Sequence, residues 1–96
     1  DHTGCLGING LLAGSDEAEP VRRMLIEARA AGEAQLAARF ERAKAEGDLP
    51  PTARPEVLAA FLLTMLHGMA VQAKAGFSRE KLEAIADLAL AAWPEA

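Results

Sequence analysis

Three side chains in this sequence carry the sulfur and imidazole groups most often used as nucleophile, base or metal ligand: His2, Cys5 and His67. A catalytic thiol needs an electropositive, partly exposed setting that stabilises the thiolate. Cys5 lies instead in the apolar residues 4–13, which favours a buried structural cysteine. The same three residues lack the fourth soft ligand and the spacing of a zinc site. We therefore expect neither an enzyme nor a bound metal or cofactor.

His67 is the one titratable side chain in a long uncharged segment. It fits a satisfied polar residue in a core or in a face between two copies of the chain. The alternative is a ligand contact or a pH-sensitive pair across a twofold axis. The first interpretation is favoured, because buried polar groups usually find a hydrogen-bond partner. A set of methionine and phenylalanine side chains could line an adaptable apolar pocket, or could simply fill a core. That set is Met24, Phe40, Phe61, Met65 and Met69.

The uncharged segment covers residues 57–73 and contains no Asp, Glu, Lys or Arg, so it cannot form a solvated surface. Pro55 and Glu56 suit the first turn of a helix. Gly76 suits a left-handed residue just past its end, with Phe77 placed to fold back on the last turn. The segment therefore predicts one central helix.

At about 100° per residue, the apolar side chains of this helix form two stripes. Two stripes need two partners, and a short chain has few elements to supply both. We expect one stripe to face the chain's own helices and the other to face a second copy. The first stripe is Leu58, Phe61, Leu62, Met65, Met69 and Ala73, and the second is Ala60, Leu63, Thr64, His67 and Val71.

A membrane-spanning helix is the alternative for this segment, since about 17 residues are the minimum for a span. Thr64, His67, Gly68 and Gln72 interrupt its apolar character. An aromatic belt is also missing, because Tyr is absent and the single Trp is distant. We expect no membrane partner.

Length and composition predict a single all-α domain over residues 1–96, because the chain is 51% hydrophobic but only 4% aromatic. The net charge of −4, with interleaved basic residues, argues against nucleic-acid binding by this segment. A single cysteine and the lack of an export signal predict a cytoplasmic location. The start at Asp1, not Met, indicates a fragment whose upstream part is missing.

A long helix is predicted over residues 20–46, where apolar residues recur at helical spacing and Asp16 with Glu19 has the spacing of a capping box. Upstream, residues 4–13 predict a short buried helix, and Gly47 predicts the end of the long one. We expect one face of the long helix to be buried and the other to carry ion pairs. The buried face would be Val21, Met24, Leu25, Ala28, Leu36, Phe40 and Ala43, and the pairs Arg23 with Glu27, Arg29 with Glu33 and Arg42 with Glu46.

A last helix is predicted between the N-cap Ser78 and the breaker Pro94. It also carries two apolar stripes, so about four helices are expected in total. The last two, joined by a tight turn at Gly76, form a hairpin that we expect to pair with its twin as an intermolecular four-helix bundle. The stripes are Leu82, Ile85, Ala86, Ala89 and Trp93 on one side, and Ala84, Leu88 and Ala91 on the other.

Three motifs in order give the chain a family resemblance. They are Gly4-Cys5-Leu6 with Asn9, AKAEGDLP over residues 43–50, and residues 61–76, where Leu66-His67-Gly68-Met69 precedes Lys74-Ala75-Gly76. Over nearly its whole length the chain resembles the C-terminal domain of TetR/AcrR-type bacterial transcriptional regulators. The resemblance implies a homodimer, a small and often apolar effector, and operator DNA read by an N-terminal helix-turn-helix that this chain lacks. Repression relieved by the effector is the implied function, and a helical homodimeric interaction module without ligand or DNA is the alternative.

The resemblance also implies roles for individual residues. A dimer seam along the last two helices is implied for one set, and an effector pocket for another. The seam set is Ala60, Leu63, Thr64, His67, Val71, Leu88 and Ala91, and the pocket set is Cys5, Asn9, Met24, Phe61 and Met65.

Overall fold

The computed structural model describes residues 19–96, and within that range every regular element is an α-helix. Helix α1 spans Glu19–Ala45, α2 spans Pro55–Lys74 and α3 spans Arg79–Ala91. The all-α fold class is confirmed. The short helix predicted over residues 4–13, and Asp16 of the predicted capping box, lie outside the described residues. Pairing of the hairpin with a second copy stays a prediction.

Helix α1 ends where the sequence predicted, at a glycine in the left-handed region. Gly47 has a φ of 87°, which an L side chain rarely adopts. Its N–H donates to the Lys44 carbonyl at 3.2 Å, and the Asp48 N–H donates to the Ala43 carbonyl at 2.8 Å. This pair of bonds is a Schellman motif, which satisfies two carbonyls at the helix end. The chain therefore leaves α1 sharply and turns back toward α2.

The most buried residues lie at the connection between α1 and α2. Leu49 and Ala53 are 6% and 8% exposed, and Ala59 in the second turn of α2 is fully buried. Pro55, the first residue of α2, is also buried and needs no partner for a backbone N–H that it lacks. Since the connection is short, α2 runs back along α1 as an antiparallel neighbour.

Helix α2 ends in the same Schellman motif as α1, at the turn that leads into α3. Gly76 has a φ of 109°. Its N–H donates to the Ala73 carbonyl at 3.1 Å, and the Phe77 N–H donates to the Gln72 carbonyl at 3.0 Å. Ser78 then caps α3, because its hydroxyl accepts a hydrogen bond from the Lys81 N–H at 3.1 Å. The predicted hairpin of the last two helices is confirmed within the chain.

The buried face expected for α1 is partly wrong. Val21 and Met24 are 56% and 67% exposed, and Ala28 is exposed as well. The face that meets α2 instead passes through Leu25, Arg29, Leu36 and Phe40, and its side chains are partly buried. Met24 lies roughly 140° around the helix from Arg29, so it points away from α2. Apolar spacing alone did not reveal that an arginine belongs to the inner face.

The predicted ion pairs along α1 form only in part. Arg42 pairs with Glu46 at 3.4 Å as expected. Arg23 pairs with Glu19 at 3.9 Å in place of Glu27, and Arg29 pairs with a histidine in place of Glu33. Exposed pairs of this kind contribute at most about 0.5 kcal/mol each, so they do not determine the fold.

Candidate functional site

The α2–α3 hairpin forms an apolar groove of about 300 Å³ near its turn. Met65 and Met69 of α2, Phe77 of the turn and Ile85 of α3 supply most of its apolar lining. Methionine side chains adapt to ligands of varied shape, and this volume lies at the lower end of small-molecule pockets. The remaining lining residues are Thr64, Gly68 and Gln72.

A second groove of about 190 Å³ continues from the first toward the end of α3. Met65 and Ile85 line both grooves, so the two grooves adjoin at these side chains. Leu88, which is 74% exposed, lies on the rim of this second groove. Its other lining residues are Phe61, Ala89 and Ala92.

An aromatic cluster ties the end of the chain to both α1 and α2. The ring of Trp93 lies edge-on to Phe40 of α1, with centroids 5.4 Å apart. It also lies 6.3 Å from the ring of Phe61 on α2. Edge-to-face pairs of this kind contribute about 0.5 to 1.5 kcal/mol beyond the apolar area they bury. A third groove, of about 400 Å³, opens beside this cluster and is lined by Arg39, Phe40, Ala43, Asp48, Leu49 and Trp93.

A polar pair bridges α1 and α2 at the far end of their interface. Nη2 of Arg29 lies 2.9 Å from Nδ1 of His67. Since a guanidinium can only donate, Nδ1 accepts and the imidazole proton resides on Nε2. Burial, and secondly the positive charge of Arg29, lower the pKa of His67 below 6.5. The neutral imidazole is therefore the form that the folded chain favours.

A second donor of the Arg29 side chain, Nε, is buried but has no hydrogen-bond partner in the described part of the chain. In addition, no carboxylate among residues 19–96 forms an ion pair with the guanidinium. An unmet buried donor costs about 1 to 3 kcal/mol, more when it is charged. The described part of the chain thus holds a cationic group whose bonding capacity is only partly used.

The structure distributes the predicted seam residues over two environments. Thr64, Val71, Leu88 and Ala91 are exposed along the hairpin. The other three are partly buried, and His67 contacts α1 of its own chain through Arg29. Those three are Ala60, Leu63 and His67. Whether this set forms a seam between copies stays a prediction.

The predicted pocket residues are only partly brought together. Phe61 and Met65 line the same groove, but Met24 is 67% exposed on the outer side of α1 and lines none of the three grooves. Cys5 and Asn9 lie outside the described residues. Leu88, predicted for the seam, shares the groove of Phe61 and Met65. Residues from the two predicted sets therefore meet on one face of the hairpin.

The sequence did not predict that Arg29 faces α2, or that Trp93 contacts both α1 and α2. Arg29 stands four residues after Leu25 and seven before Leu36, which is the spacing of one helix face. That spacing could have placed it on the inner side. No local signal indicated that Trp93 would meet both Phe40 and Phe61, because the contact joins three separate segments of the chain.

Residues 19–96 contain no cluster of three His, Cys, Asp or Glu side chains able to hold a metal ion, and His2 and Cys5 lie outside that range. Helix α2 is long and apolar enough to span a membrane, a property that it shares with core helices of soluble proteins. The bond from the charged Arg29 to His67 on this helix fits contact with protein rather than lipid.

Comparison with known proteins identifies the family. A profile described as tetracyclin repressor-like, C-terminal domain, matches residues 2–89. The chain therefore belongs to the family of tetracyclin repressor-like C-terminal domains, as the motifs predicted, and this family points to a regulator rather than an enzyme. Membership of this family supports a ligand-binding and dimerisation domain of a transcriptional regulator.

Among curated proteins, the HTH-type transcriptional repressor ComR of Escherichia coli (strain K12) is 34% identical over 92 residues, which covers 96% of this chain and 44% of that protein. The chain thus spans less than half the length of this relative. No solved structure matches the chain.

Proposed function

We propose that this chain is the effector-binding and dimerisation part of a bacterial, cytoplasmic transcriptional repressor that a small, mostly apolar effector releases from DNA. The observation that carries the proposal is the apolar face of the α2–α3 hairpin, with two continuous grooves that share Met65 and Ile85. The similarity to a transcriptional repressor supports the regulatory role. Operator DNA would be bound by a separate helix-turn-helix segment, since the sequence carries a net charge of −4 and lacks a basic patch.

The hairpin is suited to pair with a second copy. Leu88 and Val71 are 74% and 40% exposed, so helices α1 to α3 leave both side chains largely uncovered. Large apolar side chains that stay exposed on a folded domain are candidates for an association site. A twofold pairing of hairpins covers the same stripe on both copies and forms a four-helix bundle.

Effector binding and dimer geometry would be coupled through shared side chains. A ligand in the groove beside Phe77 displaces Met65 and Ile85, which also line the groove beside Leu88. The effector then favours one arrangement of α1 relative to the paired hairpins, and the DNA-binding segments follow. Such a shift requires the effector to bind the two arrangements with different affinity.

The dimer face is tested by a matched pair of charge substitutions on α3. Leu88 and Leu90 are similarly exposed, at 74% and 70%, but lie about 160° apart around the helix axis. Leu88→Glu in the whole protein should give a monomer in sedimentation equilibrium at tens of micromolar, while Leu90→Glu should remain dimeric. Circular dichroism should show unchanged helicity in both. A dimeric Leu88→Glu variant, or two monomeric variants, would rule out the proposed face.

Thermodynamic linkage between effector binding and operator-DNA binding distinguishes a sensor domain from a plain interaction module. If the domain is a sensor, an effector that fits the groove binds the whole protein more weakly when operator DNA is present, because coupling between two sites is reciprocal. Equal effector affinity with and without operator DNA would support the alternative, a homodimeric helical module without a sensing role. The measurement is a calorimetric titration of the same protein in the two states.

A further inference from the structure

The groove of about 400 Å³ beside the aromatic cluster combines apolar walls with two charged side chains. The charged lining residues, Arg39 and Asp48, are both exposed. A groove of this size lies within the range of small-molecule sites, which are mostly apolar with a few polar groups that orient the ligand. The composition is therefore the one expected of a binding site. The apolar walls are buried or partly buried, and they are Phe40, Ala43, Leu49 and Trp93.

The two charges of this groove are opposite in sign and are not engaged by the described part of the chain. Among residues 19–96, neither Arg39 nor Asp48 forms an ion pair or a side-chain hydrogen bond. Arg42 on the same helix, by contrast, pairs with Glu46. A guanidinium only donates hydrogen bonds and an ionised carboxylate only accepts them. The groove therefore offers one group for an anion and one for a cation.

The end of α1 anchors both charged residues near Ala43. Arg39 precedes Ala43 by four residues, so the two lie on one face of α1 about one helical turn apart. The Asp48 N–H donates to the Ala43 carbonyl at 2.8 Å, within the Schellman motif at Gly47. Regular backbone structure thus fixes both attachment points. A ligand whose own opposite charges are close together matches this arrangement.

We propose that this groove binds a small aromatic zwitterion, a compound of the aromatic amino acid type. Its carboxylate pairs with Arg39 and its ammonium group with Asp48. Its ring packs on Phe40 and Trp93, and so adds a third ring to an edge-to-face pair with centroids 5.4 Å apart. The groove shares no lining residue with the two grooves of the α2–α3 hairpin, so this site is independent of the proposed effector site.

Three probes that share a phenyl ring test the class of ligand. Phenylalanine carries both charges, phenethylamine carries only the ammonium group, and 3-phenylpropanoate carries only the carboxylate. Trp93 is the single tryptophan of this sequence, so its fluorescence, excited where phenyl groups do not absorb, reports on binding in the groove. In the whole protein, phenylalanine should change this signal and bind about fivefold more tightly than either singly charged probe, since an exposed ion pair contributes up to about 1 kcal/mol. Trp93→Phe keeps an aromatic wall and should lose the signal.

Two substitutions test the two charges separately. Arg39→Gln should abolish the preference for phenylalanine over phenethylamine, because the carboxylate then has no cationic partner. Asp48→Asn should likewise abolish the preference over 3-phenylpropanoate. The matched controls are Arg42→Gln on α1 and Asp87→Asn on α3, which change exposed residues that line none of the three grooves. Both preferences should persist in these controls.

The outcomes that contradict the proposal differ in meaning. Equal affinity of the unaltered protein for the three probes would overturn the zwitterionic class of ligand. Heat of binding without a change in Trp93 fluorescence would place the ligand elsewhere and overturn this site, while the proposed effector function would stand. Binding of none of the probes at millimolar concentration would overturn the site as well. Because these comparisons use the unaltered protein, they decide the question even if a variant fails to fold.

Discussion

The interface between α1 and α2 differs from one end to the other. Near the connection, Leu49, Ala53 and Ala59 are all buried, and Leu49 lines a groove together with Phe40 and Trp93 of the aromatic cluster. At the far end, the contact between the helices includes the hydrogen bond from Arg29 to His67, with a buried donor left over. One end is packed with apolar side chains that exclude water. The other end holds the charged guanidinium of Arg29, whose hydrogen-bond donors are only partly satisfied.

The two ends of the α1–α2 interface therefore differ in how they contribute to the stability of the domain. Apolar packing is nondirectional and gains stability from the area removed from water. A partly satisfied charged group contributes little to stability or lowers it. We expect the apolar end to hold the domain together and the polar end to contribute little to its stability.

The largest effect is expected at the apolar end. Trp93→Ala removes the ring that contacts both Phe40 and Phe61 and should lower the free energy of unfolding by about 2 kcal/mol, less than for a fully buried ring because Trp93 is only half-buried. Urea denaturation of the whole protein measures the change. Leu90→Ala, at a side chain that is 70% exposed, is the control and should change stability by less than about 0.5 kcal/mol. Similar losses in the two variants would contradict the contrast.

The polar end should tolerate removal of both partners better than removal of one. His67→Leu alone leaves Nη2 of Arg29 without its acceptor and should cost about 1 kcal/mol. Adding Arg29→Met should recover most of that loss, since an apolar pair has no unmet donors. Denaturation curves for the two singles and the double form a mutant cycle. A double variant less stable than either single would mean that the pair is a stabilising element.

Gly32 lies on α1 between the two ends. A methyl group there would meet nothing within 4 Å, so no segment among residues 19–96 approaches it closely. Gly32→Ala should therefore raise the free energy of unfolding by about 0.5 to 1 kcal/mol through the helix propensity of alanine. Gly47→Ala is the contrasting control, because a φ of 87° is strained for alanine and stability should fall. A destabilised Gly32→Ala protein would show that the glycine has a packing role.

The smallest effect is expected from pH, since His67 is only partly buried. Its pKa is lowered from 6.5 in the folded chain by burial and by Arg29, so the unfolded chain binds the proton more readily. The contribution of neutral His67 is fully present above pH 6.5 and is lost as the pH falls through 6.5 toward the lowered value. His67→Asn keeps an acceptor but does not titrate, so it should remove this part of the pH dependence. Identical profiles for the two proteins would contradict the assignment.

Much of the fold could be predicted because its signals are local. Gly47, Gly76 and Ser78 were each expected at a helix boundary, and each occupies one with the hydrogen bonds of its motif. Bonds of this type join residues within one turn or two, so the sequence near the boundary is sufficient to predict them. The three motifs taken in order, Gly4-Cys5-Leu6 with Asn9, residues 43–50 and residues 61–76, likewise predicted the family, which the matched profile confirms.

The site was less predictable because its contacts join distant segments. The sequence paired Arg29 with Glu33 four residues away, yet the guanidinium turns inward to His67, 38 residues along the chain. Met24 was expected on the buried face but is 67% exposed. Both outcomes depend on the rotation of α1 about its own axis, which is set by how its side chains pack against α2.

The sequence by itself therefore determined the helices, their ends and the presence of more apolar surface than one chain covers, since these follow from backbone preferences and side-chain periodicity. Only the tertiary structure decided that Arg29 faces inward, that Trp93 joins α1 to α2, and that Phe61, Met65 and Leu88 share one groove. The physical reason is that side-chain spacing is fixed by the helix, whereas the choice of inner face is made by packing between helices.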